Sequence, residues 1–159
     1  MGFPMISMNE ALKRSSVQVV DSIDSWEDAI SYSVSPLVED GYAEPCYIDN
    51  IIGNAKEFGP YFVLCPDLAL LHARPEQGAI KTQLGVTVVS QGVTFKEGEE
   101  PVRVLVTLVA TDGDAHLDVM RVLAMMFSDP QVISGLAEAD DADVIYNTFI
   151  EAAEKVSIN

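Results

Sequence analysis

Apolar residues along this chain fall into two kinds of pattern. Some form short unbroken runs rich in β-branched side chains; others recur every three or four residues over longer stretches. The runs predict buried strands and the spaced stretches predict helices. VQVV (17–20), YFVLC (61–65), LALLH (68–72), QLGVTVVS (83–90) and VRVLVTLVAT (102–111) are the strand candidates. A helix is expected from Ser25, with Asp28 three residues on as a short relative of a capping box. Ile30, Val34, Leu37 and Val38 share one of its faces, and Gly41 suits a left-handed cap. Pro45 opens a second helix carrying Tyr47, Ile48, Ile51 and Ile52, which Gly59-Pro60 ends. After Asp112-Gly113 the spacing of Leu117, Met120, Leu123 and Met126 is helical again. Asp129-Pro130 starts a further helix, and a last one runs from about Asp141 to Lys155.

Residues 1–15 show weak periodicity and read as a loose N-terminal lead-in, leaving 16–159 as one domain. Its expected class is α/β, with a mixed sheet of about five strands flanked by helices.

Composition adds exclusions. With 48% hydrophobic and 21% charged residues the chain reads as an ordinary soluble domain. No apolar run approaches the ~20 residues of a membrane-spanning helix. MGFPMISMNEALKR has neither the basic start nor the apolar core of a secretory signal, and Ile6 breaks a myristoylation pattern. A cytoplasmic protein with no direct membrane insertion is expected. Cys46 and Cys65 are too few and too scattered for a disulfide framework or zinc site, so both are expected reduced and structural. The formal charge of −16 repels phosphate backbones, which excludes nucleic acid, and suits a partner with a basic docking patch.

Candidate chemistry narrows to two histidines. His72 follows LALL, and His116 follows the longest strand at the expected start of a helix. Strand ends and helix N-termini are where α/β sheets gather anionic ligands. A neutral imidazole is nucleophilic near pH 7, and Arg74 supplies a charge for phosphate oxygens. Taken singly, each residue also fits a structural role: a satisfied histidine at a strand end, and a surface Arg74–Glu76 pair in a turn. Asp112, Asp114 and Asp118 lack the full spacing of a calcium loop, and neither a P-loop nor a dinucleotide fingerprint occurs. No metal and no cofactor are expected. The residues alone reach an α/β domain with a two-histidine site.

The segment GPYFVLCPDLALLHARPEQGAIKTQLGVTVVSQGVTF resembles the active-site region of enzyme IIA domains of the phosphotransferase system, in the mannitol/fructose-type superfamily. It is most similar to the ascorbate-type branch through Gly59-Pro60-Tyr61, the strand, His72 through Glu76, then Gly78 and Lys81. The resemblance continues through the second strand, His116 and the D-P-x-x-I-x-x-L run at 129–136, covering about Val17 to Ile150. It implies that His72 accepts a phosphoryl group from the carrier HPr and passes it to a IIB component, for uptake of ascorbate or a related substrate. His116 would be the supporting second histidine, Arg74 the electrostatic support, and Glu76 a residue orienting Arg74 or the ring. Two positions depart from the family pattern. Leu71 stands where proline is common, and Asn54 where the mannitol-type branch has arginine, which again favours the ascorbate-like branch. A regulatory IIA-like phosphoprotein, using the same histidine without a transporter, is the open alternative.

Overall fold

The computed structural model describes residues 7–111 and 117–158. Five strands form one sheet: β1 (Leu12–Val20), β2 (Val63–Cys65), β3 (Leu68–Leu71), β4 (Gln83–Val93) and β5 (Val102–Val109), in the order β1-β4-β5-β3-β2. β1 is parallel to β4 and β3 to β5, whereas β4–β5 and β2–β3 are antiparallel. The mixed single-domain α/β fold is as expected.

Helices α2 (Trp26–Glu39) and α3 (Cys46–Phe58) cover one face. Helix α1 (Met8–Ala11) with α4 (Leu117–Phe127), α5 (Pro130–Glu138) and α6 (Ala142–Ile158) covers the other. Because both faces are covered, β3 buries every side chain: Leu68 and Leu70 enter one core, Ala69 and Leu71 the other. That double burial is why LALL reads as a continuous apolar run instead of an alternation.

The helix ends follow from local chemistry. The Ser25 side chain accepts the Asp28 N–H at 3.1 Å, capping α2. At its other end Gly41 has φ +86°, its N–H reaching Val38 O while Tyr42 N–H reaches Leu37 O. This paired C-terminal closure needs a left-handed residue, which glycine adopts without strain. Pro36 lies inside α2 and cannot donate to the Tyr32 carbonyl. Gln18 of β1 donates to that carbonyl instead, at 3.2 Å.

Three differences from the sequence reading have physical causes. The expected lead-in holds α1 and the first part of β1, with Met8, Ala11 and Leu12 buried. A register shift between Leu12 and Val17 erases the alternation that would have revealed this stretch. Strand β2 is shorter than YFVLC, because Tyr61 turns toward the end of β3. The cysteines are free, but Cys46 is exposed and Cys65 only half-buried, so neither is a fully buried core residue.

Opposite the end of the sheet that bears His72, the turn at Asp67 adopts φ +69°. Arg103 grips it, donating from Nε to Oδ1 at 3.0 Å and from Nη2 to Oδ2 at 2.8 Å. The guanidinium holds the Asp67 carboxyl below its ordinary range.

Candidate functional site

His72 is the first residue past β3, at the edge of an open cleft of about 420 Å³. Asn54, Phe58, Tyr61, Arg74 and Pro75 line the cleft with it. Its ring is oriented from within its own strand: Nδ1 lies 2.6 Å from the Leu70 carbonyl oxygen. A carbonyl only accepts, so in the neutral ring Nδ1 carries the proton and Nε2 the lone pair. The Tyr61 ring stands edge-on to the imidazole, 5.2 Å between centroids, while its hydroxyl donates to the His72 carbonyl. Burial raises the Tyr61 phenol pKa, opposed by a hydrogen bond from Asn54 and by the charge of Arg74.

Arg74 opens the turn that follows. Its Nε donates to Glu76 Oε2 at 3.1 Å, and both side chains are largely exposed. Glu76 thus orients one edge of the guanidinium, while the terminal nitrogens carry four further N–H donors. In a single 3₁₀ turn, Pro75–Gln77, the chain doubles back.

The contacts holding this turn come chiefly from α3 and were missed in the sequence. Tyr47 is fully buried; its hydroxyl accepts the Ala73 N–H at 3.0 Å and donates to Leu108 O of β5 at 2.8 Å. The ends of β3 and β5 are thereby joined through one oxygen. Burial pushes the Tyr47 pKa up to about 12. Asn50 donates to Gln77 O at 2.7 Å, and Asn54 exchanges two hydrogen bonds with the Gln77 amide, at 2.9 and 3.2 Å. Gln77 Oε1 also accepts the Arg74 N–H at 2.9 Å. Residues 47, 50 and 54 share a helical face through spacings of three and four. The spacing was visible, but nothing in it indicated a loop more than twenty residues downstream as the partner.

Beyond the turn, the backbone is stitched to the segment between α2 and α3. Glu44 N–H reaches Gly78 O at 2.8 Å, and both Ile80 and Lys81 donate to Tyr42 O at 3.0 Å. Gly78, at φ +129°, presses so closely on α3 that a Cβ there would lie 3.1 Å from Tyr47 N and 3.2 Å from Cys46 Sγ. A side chain there would be strained by the positive φ and would push these neighbours back by a few tenths of an ångström.

His72, Arg74 and Glu76 are therefore brought together. His116, with Asp112 and Asp114, lies outside the described residues. Among the described residues, no three His, Cys, Asp or Glu side chains are placed to hold a metal ion, and no helix is long and apolar enough to cross a membrane.

Residues 10–152 match the family described as "Phosphoenolpyruvate-dependent sugar phosphotransferase system, EIIA 2". The chain is 33% identical over 142 residues to the mannitol-specific cryptic phosphotransferase enzyme IIA component of Escherichia coli strain K12, covering 87% of this chain and 97% of that protein. It is 31% identical over 118 residues to the ascorbate-specific PTS system EIIA component of the same strain, covering 73% and 77% respectively. The solution structure of the Escherichia coli mannitol-specific cryptic enzyme IIA, CmtB, superposes with a TM-score of 0.84 at 30% identity, covering 91% of this chain and 99% of that one. With nearly the whole length matched in family, sequence and fold, the chain belongs to the EIIA type 2 family and is a IIA component, a phosphotransferase of the sugar phosphotransferase system.

Proposed function

We propose that His72 is the phosphoryl-carrying residue and that Nε2 is the nucleophile. The observation that carries this reading is the 2.6 Å contact between His72 Nδ1 and Leu70 O. It commits the ring proton to Nδ1 and leaves Nε2 as the only nitrogen with a lone pair. Nε2 attacks phosphorus as the bond to the donor carrier breaks, and the ring gains positive charge. The Leu70 carbonyl, accepting from Nδ1–H, stabilises that charge. Arg74 contributes charge-assisted bonds to the phosphoryl oxygens, with Glu76 holding its other edge. Such transfer needs positioning and electrostatics more than covalent help. His116 is assigned the supporting role of the family's second histidine.

The proposed donor is HPr and the proposed acceptor a IIB component, in the cytoplasm. Ascorbate or a related substrate is favoured by the HARPE run and by Asn54. A mannitol-type substrate is the second reading, favoured by the longer match to the mannitol-specific relative, 142 against 118 residues.

Incubation with phosphoenolpyruvate, enzyme I and HPr is expected to give an acid-labile, base-stable label that His72→Ala abolishes. Unchanged labelling of that variant would overturn the site. In His116→Ala, transfer should fall further than stability; normal kinetics would remove its supporting role. Presenting the labelled protein to a panel of IIB components identifies the substrate. Failure to pass phosphate to any of them would favour the regulatory alternative.

A further inference from the structure

We propose that Asn54 and Gln77 form a positioning pair, an amide bridge that holds the turn carrying Arg74 at a fixed height above the His72 cleft. The proposal rests on His72 being the phosphoryl acceptor. Three observations carry it. The two amides exchange two hydrogen bonds, at 2.9 and 3.2 Å, across elements 23 residues apart in sequence. Their orientation is determined, because Gln77 Oε1 must face the Arg74 N–H it accepts at 2.9 Å, so its Nε2 must face Asn54 Oδ1. Asn54 itself lines the cleft beside His72, Tyr61 and Arg74.

The bridge therefore ends on the backbone of the residue proposed to meet the phosphoryl group. Tyr61, which lines the cleft with Asn54, ends on the carbonyl of His72. Arg74 and Glu76 are both largely exposed, so their ion pair holds the guanidinium only loosely by itself. The rigid element beneath them is α3, which reaches Gln77 through the Asn50 bond to its carbonyl and reaches the Arg74 N–H only through the amide pair. Asn54 and Gln77 act through Arg74 and the loop and take no part in bond making.

The test is a double-mutant cycle with Asn54→Leu, Gln77→Leu and the double variant. Single-turnover transfer from phosphorylated HPr is followed over a range of HPr concentrations. Each single variant should slow the maximal rate about tenfold, with the half-saturating HPr concentration changed less than about twofold. The double variant should be no slower than the worse single, because both remove one bridge. If the leucine variants do not fold, Gln77→Glu decides: it keeps the acceptor for Arg74 N–H but loses the donor to Asn54, and should slow transfer about threefold. Rates equal to wild type, losses that multiply in the double variant, or a change confined to half-saturation would overturn the proposal. Persistent labelling of His72→Gln would instead overturn the acceptor reading, so the two failures are distinguishable.

Discussion

The two faces of the sheet are built from different materials. Under α4, α5 and α6 the contacts are apolar: Leu68, Leu70, Val104 and Val106 meet Val119, Leu123, Ile145 and Phe149. Under α2 and α3 the core is also apolar in bulk, but polar contacts border it. Gln18 reaches Tyr32 O and Thr87, Tyr47 joins Ala73 to Leu108, and Asn50 and Asn54 grip Gln77. Apolar packing is strong but undirected, whereas hydrogen bonds contribute less net energy and specify where atoms lie. The first face should thus set how stable the protein is, and the second how well its loop is placed.

The sharpest way to break that division is to damage each face separately. Phe149 is fully buried and edge-on to Phe127 at 6.4 Å. Phe149→Ala should cost about 3–5 kcal/mol in chemical denaturation. Transfer per folded molecule should stay within about twofold of wild type; a selective loss of transfer would dissolve the contrast. Tyr47→Phe is the complementary change, stranding Ala73 N–H and Leu108 O. It should cost about 1–3 kcal/mol and slow transfer well beyond the loss of folded protein. Because the folded pKa is raised from 10.0 to about 12, the folded state favours the neutral phenol. Stability from this group is complete below pH 10 and declines as pH climbs toward 12, a decline that Tyr47→Phe should remove from the denaturation profile.

A smaller effect concerns the end of the sheet away from His72. Asp67 titrates below its ordinary range beside Arg103, so it stabilises the fold above the unfolded carboxylate pKa of about 3.9. That contribution disappears as pH falls through the folded value. Asp67→Asn should lower the denaturation midpoint at pH 7 and flatten its acid dependence, with transfer unaffected. The smallest change is Thr107→Val. The Thr107 hydroxyl is buried with no hydrogen-bond partner among the described residues, so an isosteric methyl should move stability by less than about 1 kcal/mol, toward greater stability. A larger loss would show that the Thr107 hydroxyl is hydrogen-bonded in the folded protein.

Much of this was legible in the sequence, for specific reasons. Strands buried on both faces announce themselves as β-branched runs, and Ser25, Gly41 and Asp129 mark helix ends through chemistry local to each residue. His72, Arg74 and Glu76 were legible because they lie within five consecutive residues. The supports were not. Tyr47 counts as one more apolar residue in a helical stripe, and Asn54 and Gln77 are ordinary surface amides until the chain has folded back. Their meaning resides in long-range contacts, which one-dimensional spacing does not encode. The first half of β1 was hidden likewise, because its irregular pairing breaks the period.

The stitching of residues 78–81 to residues 42–44 also has an engineering consequence. Residues 72–81 are anchored along their length, by Tyr61 and Tyr47 at one end and by backbone bonds to Tyr42 and Glu44 at the other. An inserted residue there has no slack to occupy and would shift the register of every anchor. The turn at 96–100 is the opposite case: Lys96, Glu97, Gly98, Glu99 and Glu100 are all exposed, at the end of the sheet away from His72. A fluorescent reporter or affinity tag belongs at Gly98, where the molecule can be watched or immobilised with its cleft unobstructed.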